Sequence, residues 1–373
     1  MKIAFLGYPE PDGKTFGNGV ARVIYNQAEY LKSRGYEVYY YHLFSKEQYQ
    51  ELPKFLVKNN ISIAVWHMTT LRIKKIAHTP CPIICLWHTS PYYAKSFKSN
   101  PFDTLKRFAN KHGLPIRADK LFDMKILQSA FISLHSIFNT IMFCFITAKY
   151  DKVVLLSQYY ISSFLPAKLF PNKVTAIPNM ISAPEGCIDI EKKENIALFV
   201  GRLENCSKRI DLLLEVWSIA ARNIDWELII CGDGPDKNML LEKKQQLQLE
   251  NVRFVGYVKP EPYYRSASII CLSSVYEGFP MVIAEAKSYG CVPIAFDSFE
   301  AVHDLITDNV NGRLIPSFDK ELYSSALIDL MYDRNKRQAF ATQSMKDVTA
   351  LSQDRIMSKW ENLFSSLVID KSQ

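Results

Sequence analysis

Ala267-Ser268-Ile269-Ile270-Cys271-Leu272 runs, after Ser273, into Ser274-Val275-Tyr276-Glu277-Gly278-Phe279-Pro280-Met281-Val282-Ile283-Ala284-Glu285-Ala286. The first six residues form a short apolar run, the pattern of a buried strand. Pro280 suits the first position of a helix and Gly290 the position just past its end, so the spacing predicts a helix over 280–289. A strand, a loop and a helix in this order are half of a βαβ unit. Two carboxylates flank the helix start: Glu277 precedes it and Glu285 lies more than one turn inside. A carboxylate accepts hydrogen bonds from two vicinal hydroxyls, as in a ribose. A helix N-terminus between the two acids favours an anion. The pair therefore suits a ligand carrying both phosphate and sugar hydroxyls. Taken alone, it is also compatible with a loop acid and an exposed helical charge.

The same alternation extends outward on both sides. Asn195–Val200, Trp226–Cys231, Val252–Val255 and Val292–Phe296 read as strands, with helical spacing around Asp211–Ala221 and Lys237–Leu247 between them. In the front half, Lys2–Gly7, Glu37–Phe44, Ile61–His67, Pro82–His88 and Lys152–Ser157 read as strands. Alternating strands and helices imply mainly parallel sheets covered on both faces. At 373 residues, 48% hydrophobic and 22% charged, the chain has room for roughly two cored domains. Met180–Glu194 is polar and weakly periodic, which puts a linker at about 181–194, between an N-terminal domain at 1–180 and a C-terminal domain at 195–351. The tail is amphipathic, with Ile356, Trp360, Leu363, Phe364 and Leu367 on one side. As a C-terminal helix at about 352–368, it is expected to pack back on the N-terminal domain.

Charge divides the same way. The net +7 combines +13 over residues 1–180 with −6 over the remainder. A basic front half implies an anionic partner there or an unevenly solvated surface. Arg72 to Lys125 holds 11 Lys and Arg against 3 Asp and Glu, interleaved with aromatics such as Trp87, Tyr92, Tyr93 and Phe97. That mixture suits an anionic membrane surface, and also nucleic acid. Ile126–Ala148 has no charged residue, but its many polar side chains disfavour a true span. A buried or interfacial helix fits it better. The N-terminus lacks a signal-peptide pattern. The eight scattered cysteines fit reduced thiols rather than a disulfide framework or metal site. Both observations imply a cytoplasmic protein.

Three more places offer ligand chemistry. Gly17 and Gly19 precede a helical pattern, where close backbone approach to a phosphate is available. Arg202 directly follows the strand ending at Val200-Gly201, at the sheet edge where open α/β folds bind ligands, and Lys208 lies six residues on. Two fixed cations there could hold a diphosphate and stabilise it as a leaving group. They also fit ordinary surface charge. His88 ends an apolar strand at the equivalent edge of the front half, where a lone His is also a common core or capping residue.

In order along the chain, the glycine loop, His88, Ile177-Pro178-Asn179, Gly201-Arg202-Leu203 with Lys208, Gly232-Asp233-Gly234-Pro235, and Glu277 with Glu285 form a set. The set resembles glycosyltransferase family 4, retaining enzymes of the GT-B fold, over essentially the whole chain. The resemblance implies an α/β fold of two Rossmann-like domains facing each other across a cleft. It implies transfer of a sugar from a nucleotide-sugar donor, a UDP-sugar favoured, with no metal or other cofactor; the chain has no Asp-x-Asp motif. By resemblance Glu277 contacts the donor sugar, Glu285 binds the ribose, Arg202 and Lys208 bind the diphosphate, and His88 faces the sugar. The backbones of Gly278, Phe279 and Met281 hold phosphate or sugar, and Val258 the base. The N-terminal domain would recognise a glycan or lipid-linked acceptor. The expected setting is bacterial surface polysaccharide synthesis (lipopolysaccharide, capsule or repeat units), at the inner face of the plasma membrane. Alternatives are another GT-B enzyme, an epimerase or a phosphorylase, and a basic nucleic-acid-binding module. The sugar-nucleotide constellation argues against a nucleic-acid partner. The chain departs from the family pattern at Asn18 between the glycines, at Arg209 after the lysine and at Met180 after the Pro-Asn pair.

Overall fold

The computed structural model describes residues 1–8, 10, 19–43, 45–68, 79–90, 125–221 and 224–370. The chain divides into two compact units, Met1–Met180 with Gln353–Gln373, and Ile181–Ser352.

The front unit is built on six strands: β1 (Lys2–Leu6), β2 (Glu37–Tyr41), β3 (Ile63–Met68), β4 (Ile83–Trp87), β5 (Lys152–Leu155) and β6 (Val174–Ala176). Their order is β2-β1-β3-β4-β5-β6, and every pair is parallel. Strands β1 and β4 are buried almost throughout, which is why they read as continuous apolar runs rather than alternating ones. Helix Gly19–Ser33 follows β1 and buries Ile24, Ala28 and Leu31, its 3.6-residue stripe. Helix Lys46–Lys58 begins in a capping box, with the Ser45 hydroxyl accepting from Gln48 N–H and the Gln48 side chain accepting from Ser45 N–H.

The C-terminal helix, Gln353–Asp370, belongs to the front unit. It buries Ile356, Trp360, Phe364 and Leu367. Tyr30 Oη donates to Asp354 at 2.6 Å, and Arg34 lies 3.9 Å from Glu361, so the helix is held on the first one. Helix Lys125–Lys149 covers the uncharged stretch. Among the described residues no helix is long and apolar enough to cross a membrane. Most of the basic-aromatic segment from Arg72 to Lys125 lies outside the described residues.

The rear unit carries β7 (Glu194–Val200), β8 (Glu227–Cys231), β9 (Val252–Gly256), β10 (Ala267–Leu272), β11 (Val292–Asp297) and β12 (Arg313–Pro316). Their order is β12-β11-β10-β7-β8-β9, again all parallel. From β7 the chain winds outward through β8 to β9. It then returns to the other side of β7 and winds through β10 and β11 to β12. The direction of winding reverses between β7 and β10, and the crevice beyond their C-terminal ends is the place where such sheets bind ligands. The core under this sheet packs Phe199, Leu213, Trp217, Leu228, Ile269, Ile294, Tyr323 and Leu327. Residues 181–194 belong to the rear unit: Ile181 pairs with Ser352, and the turn Ile190–Lys192 packs on helix Arg334–Val348. None of the eight cysteines is in a disulfide; Cys187 is exposed, whereas five, including Cys231 and Cys271, are buried.

Candidate active site

The loop after β7 and the loop after β8 are laced together. Gly201 N–H donates to Cys231 O, Leu203 N–H to Asp233 O, and Asp236 N–H back to Leu203 O, all at 3.0–3.1 Å. Asn205 N–H donates to Asp236 Oδ2 at 2.6 Å. The approach is close enough to require glycine: a Cβ on Gly232 would lie 1.8 Å from Gly201 O, and one on Gly234 2.5 Å from Leu203 O. The Gly232-Asp233-Gly234-Pro235 motif thus acts as the bed on which Gly201-Arg202-Leu203 lies. Arg202 is exposed at this edge, and among the described residues it makes no ion pair.

A second set of ties brings in the loop after β10. Val275 N–H donates to Ser207 O at 2.8 Å, and Ser273 Oγ to Lys208 O at 2.7 Å. Ser298 Oγ donates to Ser274 O at 2.6 Å from the far side. With both backbones fixed, the Lys208 ammonium donates to Glu277 Oε1, and Ser274 Oγ donates to the same oxygen at 2.8 Å. The two side chains are only 20% and 16% exposed, so the pair sits in a partly dry pocket where charge interactions are strong.

Arg209, where the family pattern has glycine, takes a left-handed conformation with φ +46° and ψ +48° between helices Asn205–Lys208 and Ile210–Ala220. A non-glycine residue there costs about 1–2 kcal/mol. The guanidinium is tied to Asp211 at 3.0 Å and lies 5.8 Å from the Phe318 ring centre, so its charge already has partners.

The helix after β10 spans Met281–Ser288, with Pro280 as its N-cap, one residue later than the spacing predicts. Gly290, φ +77°, closes it: Gly290 N–H donates to Lys287 O and Cys291 N–H to Ala286 O. Gly278, Phe279 and Met281 surround the helix start, and Glu285 lies one turn in. Tyr264, fully buried on helix Glu261–Ser266, donates its hydroxyl to Glu285 Oε2 at 3.2 Å. Tyr264 was invisible in sequence because only folding brings it beside an acid 21 residues away. Val258 follows β9, half-buried in the loop after Gly256.

In the rear unit, then, Arg202, Lys208, Glu277, Gly278, Phe279, Met281 and Glu285 stem from the C-terminal ends of β7 and β10, on the two sides of the winding reversal. In the front unit, Gly17 lies outside the described residues and Gly19 opens the first helix. His88 follows β4 and is 6% exposed. Its Nε2 meets His67 Nδ1 at 2.9 Å. Burial pushes the His88 ring down to about 3. Burial first, and His88 second, hold His67 well below the ordinary histidine range. His67 was missed in sequence, although β3 and β4 are neighbouring strands that end near a histidine each.

Two parallel, doubly wound units of this kind define the GT-B architecture. Residues 188–347, which make up most of the rear unit, match the family described as Glycosyl transferases group 1. The chain is 34% identical over 176 residues to the amylovoran biosynthesis glycosyltransferase AmsD of Erwinia amylovora. That match takes in 47% of this chain and 49% of AmsD, so it spans about half of the relative's length. Among solved structures, the lipopolysaccharide outer core galactosyltransferase WaaB is similar with a TM-score of 0.68 at 17% identity, over 98% of this chain and 100% of WaaB. Anabaena HepE in complex with UDP is similar with a TM-score of 0.69 at 15% identity, over 98% of this chain and 100% of HepE. At these identities the structural likeness speaks to fold.

Proposed function

We propose that the protein is a retaining glycosyltransferase of family 4 type that moves a sugar from a nucleotide sugar to a glycan or lipid-linked acceptor. The observation that carries this reading is the convergence of Arg202, Lys208, Glu277 and Glu285 on the ends of β7 and β10. Arg202 and Lys208 would take the diphosphate, Glu285 the ribose hydroxyls and Glu277 the donor sugar. The N-terminal end of helix Met281–Ser288 adds a partial positive charge toward the phosphates. In the transfer step the bond from the anomeric carbon to the phosphate oxygen breaks. The acceptor oxygen bonds to that carbon on the same face, and its proton passes to the departing phosphate. The chain's contribution is positioning and charge stabilisation, with protein cations serving in place of a divalent ion. UDP is the favoured nucleotide, supported by the likeness to HepE, whose structure holds it.

The names of AmsD and WaaB support an acceptor in bacterial surface polysaccharide synthesis. The +13 balance over residues 1–180 supports work at an anionic membrane surface on its cytoplasmic side. Co-sedimentation with anionic but not neutral liposomes at low salt tests the membrane part. Incubation with UDP-, GDP-, ADP- and dTDP-sugars, with and without a glycan acceptor, tests the reaction. Transfer that needs acceptor supports the proposal. Conversion of the donor sugar without acceptor would show an epimerase instead.

A further inference from the structure

In the front unit the His67 and His88 rings lie nearly coplanar, at 14°, with centres 5.2 Å apart and nitrogens 2.9 Å apart. In a ring built from bonds of about 1.33 Å each nitrogen lies roughly 1.1 Å from the centre. A nitrogen separation of 2.9 Å therefore gives its greatest possible centre separation, the observed one, only when both nitrogens lie on the line between the centres. The rings meet head to head in a linear N–H···N hydrogen bond and do not lie face over face. The backbone explains why they meet. His67 pairs in register with Leu86, and His88 lies two residues further along, so both side chains leave the sheet on one face. Phe5 from β1 packs edge-on against His67, at 4.8 Å and 73°, and fixes its ring plane.

Burial keeps both rings neutral, so one proton occupies the shared bond, and its position sets both tautomers at once. If His88 donates, His67 must carry its own proton on Nε2. That atom is buried and has no hydrogen-bond partner among the described residues. An orphaned buried N–H is the rarer and costlier arrangement, so His67 donates from Nδ1 instead. Nε2 of His88 is then occupied as an acceptor, and its proton resides on Nδ1.

The geometry points to His67 as a positioning residue that locks the tautomer and ring plane of His88, leaving His88 as a neutral hydrogen-bond donor through Nδ1–H. The inference rests on the functional reading above for its kinetic consequence, though not for the tautomer itself. Two readouts separate the two. Nitrogen-15 histidine spectra of the full chain, assigned with His88→Gln, report the tautomer without any substrate. Wild type should show His88 protonated on Nδ1. His67→Phe should abolish that single state, and His67→Asn, whose amide occupies the place of Nδ1, should restore it. In donor and acceptor turnover, His67→Phe and His67→Gln should lower kcat by about 10-fold or more with donor KM within about threefold, while His67→Asn stays near wild type. Thermal melts select variants that fold, and the Asn against Gln contrast compares two polar replacements of similar bulk. An Nε2-protonated His88 in wild type, an unchanged His88 spectrum in His67→Phe, or equal kcat in the Asn and Gln variants overturns the inference. A wild type inert toward every sugar nucleotide would sink the functional reading and leave the spectroscopic test standing.

Discussion

Lys208 and Glu277 are 69 residues apart in sequence, and the ammonium of one donates to Oε1 of the other. The same oxygen accepts from Ser274 at 2.8 Å, so the carboxylate and not the lysine is the better anchored partner. On the proposed function, a diphosphate entering at the β7 edge would draw Lys208 away and leave Glu277 in place, still held by Ser274 and available to the sugar. Glu277→Gln should lower turnover by about 100-fold while nucleotide affinity changes by less than about threefold. Steady-state kinetics paired with calorimetry checks this, and wild-type turnover in the variant would remove Glu277 from the site.

Glu285 is held from behind by Tyr264 at 3.2 Å. Hydrogen bonds donated by ribose hydroxyls to a carboxylate are worth about 1.5–3 kcal/mol. Glu285→Ala should therefore raise donor KM by about 10- to 100-fold, with kcat at saturating donor close to wild type. Tyr264→Phe, which loosens the acid without removing it, should cost less. Equal donor KM in wild type and Glu285→Ala would deny the ribose role.

Gly232 tests whether the loop bed positions Arg202. An added Cβ would fall 1.8 Å from Gly201 O, a distance that only displacement of backbone can relieve. Gly232→Ala should destabilise the chain by about 2–4 kcal/mol in urea and weaken nucleotide binding, whereas Gly256→Ala, whose Cβ meets nothing within 4 Å, should cost only the about 1–2 kcal/mol of a side chain at its φ of +76° and leave binding intact.

Lys287 gives a pH signature. It is 1% exposed, and its ammonium donates to Leu305 O. Burial pushes its pKa down to about 8, with Asp347 opposing. Unfolded, the group titrates near 10.5, so between pH 8 and 10.5 the unfolded chain binds more protons than the folded one. The penalty for burying this lysine is fully present below pH 8 and fades as pH rises to 10.5. The stability of Lys287→Met relative to wild type should therefore fall by about 3 kcal/mol between pH 7 and 10.5, measured by denaturant titration at each pH. A pH-independent difference would mean the lysine is not titrating in the folded state.

The interior strands were legible because both faces of a parallel sheet are buried, which leaves unbroken apolar runs. Ala267–Leu272 is read to the residue, and Glu194–Val200 and Val292–Asp297 to within one. The short edge strands Val174–Ala176 and Arg313–Pro316 were not read, since an edge strand of three or four residues carries too little apolar pattern. Helices Lys320–Tyr332 and Arg334–Val348 also escaped. The second is polar over most of its length, and only Phe340, Ala341, Ser344 and Val348 are buried. In the candidate site, the placement of Glu277, Glu285, Arg202 and Lys208 beyond the ends of β7 and β10 was legible because each sits at a fixed offset from a strand end. Tyr264 and His67 were not, because their partners are set by register and packing. The glycine usual after the lysine is explained by the left-handed backbone at Arg209, which the sequence alone does not reveal.

The central claim is that the ends of β7 and β10 hold the diphosphate of a nucleotide sugar through Arg202 and Lys208. Calorimetric titration of UDP into wild type, Arg202→Ala and Lys208→Ala tests it most directly, with GDP, ADP and dTDP titrated in parallel. The account predicts saturable binding of at least one nucleoside diphosphate to wild type and a loss of about 10-fold or more in each variant. Absence of binding by all four, or equal affinity in wild type and both variants, would contradict it.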